Sequence, residues 1–84
     1  MKQAVSNNLE KEIRSLIAEI LEVEESKITS NARFMEELGM DSMMALEILA
    51  SIEKKYKIRV PEDKITRLRN LDEAIKMTKE YLGK

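Results

Sequence analysis

The stretch Glu36-Glu37-Leu38-Gly39-Met40-Asp41-Ser42-Met43 holds the residues whose types and spacing offer chemistry. A glycine able to turn the chain stands just before an Asp-Ser pair, and an apolar pattern of helical spacing follows. Asp41 and Ser42 therefore sit at the start of a helix, where either can serve as N-cap, the commonest task for both residue types there. A serine at that place is also a modifiable hydroxyl. An anionic group attached to it would lie beside unpaired N–H groups and the positive end of the helix dipole. Capping and attachment are compatible roles, so the dipeptide alone does not separate them.

Several other chemistries are excluded by composition. The chain contains no Cys, which removes a disulfide framework, a thiolate zinc site and a thiol nucleophile. It contains no His, so no imidazole base or metal ligand is available, and no metal site is expected. With no Trp, two Tyr and one Phe, it has little to stack on bases, and nucleic-acid binding is not expected. The longest apolar run is the four residues Met43-Met44-Ala45-Leu46, too short for a membrane span or a signal-peptide core, so a cytoplasmic location is expected.

The elements that position Ser42 follow from periodicity. At 84 residues, 43% of them hydrophobic, the chain is expected to form one domain over residues 1–84. Two Gly and one Pro, with abundant Leu, Ile, Glu and Lys, point to helices. A first helix is expected from about Leu9 to Val23, burying Leu9, Ile13, Leu16, Ile17, Ile20 and Leu21, with Asn7 or Ser6 as its cap. Residues 26–41 show no sustained period and are expected to be a long loop anchored by Ile28, Phe34, Met35 and Leu38.

The second helix is expected from Asp41-Ser42 to about Tyr56, with Ala45, Ile48, Leu49, Ile52 and Tyr56 on its core face. Met43, Glu47, Ala50 and Lys54 fall opposite, and Met44 and Leu46 flank the stripe. Val60-Pro61 halts helical continuation, and residues 62–65 suit one short helical turn. The last helix is expected from near Leu71, capped by Asn70, with Leu71, Ala74, Ile75, Thr78 and Leu82 buried and Gly83 closing it. The expected class is thus an all-α four-helix bundle of three main helices and one short one.

The run Leu38-Gly39-Met40-Asp41-Ser42-Met43 resembles the Leu-Gly-x-Asp-Ser-Leu signature of acyl carrier proteins of the discrete, bacterial type II kind. Residues 29–34 resemble the upstream loop of that family, and Ile58-Arg59-Val60-Pro61 resembles the strand-like segment after its second helix. Leu68, Leu71, Ala74 and Ile75 fall where its last helix is apolar, and about Leu9 to Leu82 is covered.

The resemblance implies a non-catalytic, monomeric carrier. A phosphopantetheinyl transferase would attach 4′-phosphopantetheine from coenzyme A to Ser42, and the arm's thiol would hold acyl groups as thioesters. Ketosynthases, acyltransferases or acyl-ligases would then process them in fatty-acid, lipid or specialised acyl biosynthesis. It also implies that Phe34, Ile48, Ile52, Val60, Leu68 and Leu71 line a shelter for the acyl chain. Each of these residues taken singly reads better as plain core.

The residues expected to serve partner recognition are Glu37, Asp41, Met43, Met44, Leu46 and Glu47. The acids continue the acidic second helix of the family, and the three apolar side chains form a small patch around Ser42. The chain departs from the family in charge. Its net charge is only −1, with acids concentrated before Lys54 and Lys54, Lys55, Lys57 and Arg59 clustered after them. Met43 and Met44 also replace the more usual residues after the serine. These departures favour a specialised pathway over the housekeeping one. The alternatives are an aminoacyl or peptidyl carrier, and a helical interaction module whose Ser42 is never modified.

Overall fold

The computed structural model describes residues 2–83, with side chains from Leu9 onward. Helix α1 spans Lys2–Leu21, α2 spans Phe34–Leu38, α3 spans Ser42–Tyr56 and α4 spans Leu71–Leu82. Two 3-10 segments, Glu25–Lys27 and Glu62–Arg67, complete the chain, and no strand occurs among the described residues. The expected all-α bundle with three long helices is present. The short α-helix, however, lies at Phe34–Leu38 rather than after Pro61, where the chain winds as a 3-10 segment instead.

Helix α1 begins well before Leu9, so Ser6 and Asn7 lie within it and neither marks its start. Residues 2–8 contain neither Pro nor Gly, so nothing in that stretch breaks the helix. Leu9, Ile13, Ile17, Ala18 and Leu21 are buried, while Leu16 and Ile20 lie at the edge of the core. The helix ends with Glu22 in the left-handed region at φ 58°, and the Val23 N–H donates to the Ala18 carbonyl at 3.1 Å. That is the six-to-one bond of a Schellman ending, here made without glycine.

The expected loop contains α2, whose five residues are too few to display a period in the sequence. A helix this short is not stable alone. Tertiary bonds hold it: the Phe34 N–H donates to the Arg69 carbonyl at 2.8 Å, and the Asp72 N–H to the Ser30 carbonyl at 3.1 Å. Ile28 and Phe34 are buried anchors and Leu38 is half-buried. Met35 is not an anchor; it is 55% exposed, because α2 turns only Phe34 fully inward.

Helix α3 has the expected limits and the expected stripe. Ala45, Ile48, Leu49 and Ile52 are buried, and Tyr56 is half-buried with its hydroxyl donating to Glu12 of α1 at 2.8 Å. After α3, Lys57 takes the left-handed region at φ 55°, and the Ile58 N–H reaches the Glu53 carbonyl at 3.1 Å. The Val60 N–H donates to the Glu53 carboxylate at 2.7 Å, which draws the extended stretch before Pro61 onto α3.

In α4 the Asn70 side chain caps the Glu73 N–H at 2.8 Å, as expected. The buried arc is Leu71, Ala74, Met77 and Thr78, turned from Ile75 toward Met77. Thr78 is satisfied by donating to the Ala74 carbonyl at 2.8 Å. Leu82, expected inside, is exposed; it lines a surface groove with Leu46 and Val60 instead of entering the core. Helix α1 packs on both α3 and α4, and Phe34 of α2 together with Met40, Val60 and Leu68 of the connecting segments completes a single core.

Candidate functional site

The junction between α2 and α3 is built by three consecutive local devices. Gly39 adopts φ 74°, a left-handed conformation that ends α2 and favours a residue without a Cβ. Met40 then turns inward; its N–H donates to the Phe34 carbonyl at 3.0 Å and its side chain is buried. Asp41, in extended backbone, caps α3: its carboxylate accepts from the Met44 N–H at 2.8 Å, and its carbonyl from the Ala45 N–H at 2.9 Å.

This resolves the ambiguity between Asp41 and Ser42. Asp41 does the capping, and Ser42 is the first residue of α3, exposed to solvent. Its hydroxyl is not consumed by the helix start, and it stands where N–H groups of the first turn are unpaired and the dipole is positive. A phosphodiester on Ser42 Oγ would meet that field, whereas a neutral substituent would gain nothing from it.

A groove of about 480 Å³ opens beside Ser42. Its walls are apolar, made by Met35, Met40, Ala45, Ile65 and Leu68. Arg33, Glu36, Thr66 and Arg69 supply its polar parts. Of the six residues expected to shelter a chain, Leu68 lines this groove. Phe34, Ile48, Ile52 and Leu71 are each at most 1% exposed and are packed in the one core with Val60 and Leu68. The fold thus brings the six together, as closed packing next to an open groove.

No pattern in the sequence assigned Met35, Ile65, Thr66, Arg33 and Arg69 to this groove. Ile65 and Leu68 share a 3-10 spacing of three, the one local signal that was available.

The residues expected to meet partners lie on α2, on α3 and at the junction between them. Glu37, Asp41, Met43, Leu46 and Glu47 are exposed, Met43 at 77%. Met44 is half-buried against the core, so Met43 and Leu46 are the exposed apolar members of the set; Met35, expected as a loop anchor, is exposed as well. The Asp41 carboxylate is engaged as the cap and remains exposed. Lys54, Lys55, Lys57 and Arg59 are exposed at the far end of α3, where cations suit the helix dipole.

Comparison with known proteins places these features in a family. The model of the phosphopantetheine attachment site matches residues 11–77. The chain is 36% identical over 84 residues to the polyketide-8 synthase acyl carrier protein 2 of Streptomyces avermitilis, covering 99% of this chain and 97% of that protein. It is 31% identical over 77 residues to the acyl carrier protein of Akkermansia muciniphila, covering 92% of this chain and 96% of that one. The acyl carrier protein of Rickettsia massiliae is 32% identical over 77 residues, at 92% and 90% coverage.

Proposed function

Because this chain belongs to the acyl carrier protein family, whose members bear a covalent 4′-phosphopantetheine, we propose that Ser42 is the residue that bears it. The observation that carries the assignment is the division of labour at the start of α3. Asp41 holds the cap, which leaves an exposed hydroxyl in the first turn, directly after the Leu38-Gly39-Met40 turn. In the transfer step Ser42 Oγ attacks the coenzyme A phosphorus that bears the pantetheine. The bond from that phosphorus to the adenosine bisphosphate breaks, the serine proton is lost, and 3′,5′-adenosine bisphosphate leaves.

The chain itself catalyses no step in this reading; Ser42 is the acceptor of the arm, and the residues around it present the arm and are recognised. Glu37, Asp41 and Glu47 supply negative charge around Ser42, which acts mainly on the rate of encounter with basic partner surfaces. Met43 and Leu46 offer apolar contact at the same place. The partners are a phosphopantetheinyl transferase and acyl-processing enzymes.

Within this role we favour a specialised acyl pathway of polyketide type. Two observations support that reading: the basic stretch that begins at Lys54, and the likeness to a polyketide synthase carrier. Intact mass after incubation with coenzyme A and a broad-specificity transferase tests the attachment. One phosphopantetheine should be gained by the wild type and none by Ser42→Ala; modification persisting in the variant overturns the assignment. The pathway is tested by offering the malonyl-loaded carrier to a fatty-acid ketosynthase and to a polyketide ketosynthase. Faster elongation by the fatty-acid enzyme would reverse that preference.

A further inference from the structure

Two arginines stand at the groove beside Ser42 with little to bind. The bond from the Phe34 N–H to the Arg69 carbonyl fixes the residue after Arg33 against Arg69, so the two side chains arise next to one another. Both line the groove that Ser42 also lines. Two of the other three arginines are occupied. Arg14 donates to Glu10 at 2.9 Å and to the Ile28 carbonyl at 3.1 Å. Arg67 grips both Glu80 oxygens, at 2.9 and 3.3 Å.

Arg69 makes no ion pair or side-chain hydrogen bond among the described residues. Among the described residues Arg33 approaches only Glu37, at 3.7 Å, with both side chains more than half exposed. Such a pair contributes little and is easily exchanged for a better partner. Two arginines that arise from neighbouring backbone positions and line one groove can be joined by a single anion, and their planar forks suit a carboxylate. Glu36 is the one carboxylate in the lining and Glu37 lies against Arg33, so Arg69 is the arginine of the groove that no carboxylate pairs with among the described residues.

We infer that Arg33 and Arg69 form a carboxylate-recognition site for cargo tethered at Ser42, so that the groove selects acyl groups that end in a carboxylate over fully apolar ones of equal length. This rests on the assignment of Ser42 as the attachment residue. The apolar walls Met35, Met40, Ile65 and Leu68 cover the methylenes of such a chain as the arm folds back, and the arginines receive its end. The anion could be supplied by the cargo carboxylate or by the arm's own phosphodiester; the groove's mixture of apolar wall and cationic rim favours the cargo.

The test loads the whole chain with adipoyl- or hexanoyl-phosphopantetheine from the corresponding coenzyme A thioesters, two six-carbon cargoes that differ by the terminal carboxylate. Mass confirms loading. The Nε–H resonances of Arg33 and Arg69 should move in the adipoyl form and stay in place in the hexanoyl and cargo-free forms. The R33Q/R69Q double variant should lower the melting temperature of the adipoyl form by about 2–4 °C more than that of the hexanoyl form, and salt should erase the gap.

Both side chains are exposed and the Phe34 bond uses only the Arg69 backbone, so the variant should keep its fold; the wild-type resonances decide the matter even if it does not. Equal shifts for both cargoes overturn the inference. Shifts already complete in the cargo-free form also overturn it, and assign the arginines to the phosphodiester. Loading without discrimination leaves Ser42 as the attachment residue, whereas failure to load overturns both readings.

Discussion

At the scale of single residues, the start of α3 separates two jobs that the sequence allowed one residue to share. Asp41 accepts from the Met44 N–H, so its loss and the loss of Ser42 should have different consequences. Ser42→Ala should abolish loading yet change unfolding free energy by less than about 0.5 kcal/mol, since it removes neither cap nor buried contact. Asp41→Ala should cost about 1 kcal/mol through the lost cap. Asp41→Asn keeps a capping oxygen while deleting the charge, so it should melt near the wild type but load more slowly at low ionic strength. Added salt should narrow that difference, because the screening length shrinks to about 10 Å at 0.1 M. Urea unfolding together with loading rates at two salt concentrations checks all three variants. An Asp41→Asn protein that loads at the wild-type rate at low salt would remove Asp41 from recognition.

At the scale of elements, the helix ends carry the least expected feature. Glu22 and Lys57 occupy left-handed backbone at the ends of α1 and α3, a conformation that costs a non-glycine residue roughly 1 kcal/mol. Both endings make the long Schellman bond, to the Ala18 and Glu53 carbonyls. Lys57→Gly should therefore stabilise the protein by about 0.5–1 kcal/mol, offset partly by the greater freedom of glycine in the unfolded chain. A higher denaturant midpoint with an unchanged slope is the expected result.

The contact between α1 and α3 has its own pH signature. Burial first, and the Glu12 carboxylate that accepts its proton second, push the Tyr56 phenol above its ordinary value of 10.0. Because the folded value is raised, the stabilisation is complete below the unfolded value and is lost as pH climbs above about 10. Tyr56→Phe should cost about 0.5–1.5 kcal/mol at pH 8 and flatten the loss of stability between pH 9 and 11. An alkaline profile identical to the wild type would show that the hydrogen bond contributes nothing.

At the scale of the whole molecule, one small core must serve both stability and cargo. Phe34, Ile48, Ile52, Val60, Leu68 and Leu71 are packed together with little exposure, next to the groove at Ser42. An acyl chain that enters from the groove gains roughly 0.8 kcal/mol per buried methylene, while prying apart a dense core costs about 1–3 kcal/mol. Melting temperature should therefore rise from the cargo-free form to medium-chain forms and scarcely change with acetyl. Amide shifts should concentrate on α3 and the 3-10 segment after Pro61. If a medium-chain form melts no higher than the cargo-free one, with shifts confined to the neighbourhood of Ser42, the chain stays in solvent. Ile48→Ala should cost about 2–5 kcal/mol, because its side chain is fully enclosed.

The division between sequence and tertiary structure follows the range of the forces involved. Limits, cap and buried stripe of α3 were legible because fifteen residues give several turns of period, and the Asp41 cap acts within three residues. The Asn70 cap and the Gly39 turn were legible for the same local reason. The start of α1 was not, since a polar but unbroken stretch carries no stop signal. Nor was α2, whose five residues are held by a bond to Arg69, thirty-five positions downstream of Phe34. The left-handed endings at Glu22 and Lys57 were hidden because packing, not glycine, selects them. The groove at Ser42 is the fullest case. Arg33, Met35, Ile65 and Arg69 come from segments far apart in the chain, and only the docking of α2 against the approach to α4 puts two guanidiniums beside one serine. Short-range hydrogen bonds and helical period are written in neighbouring residues, whereas a shared cavity depends on contacts whose partners no local pattern names.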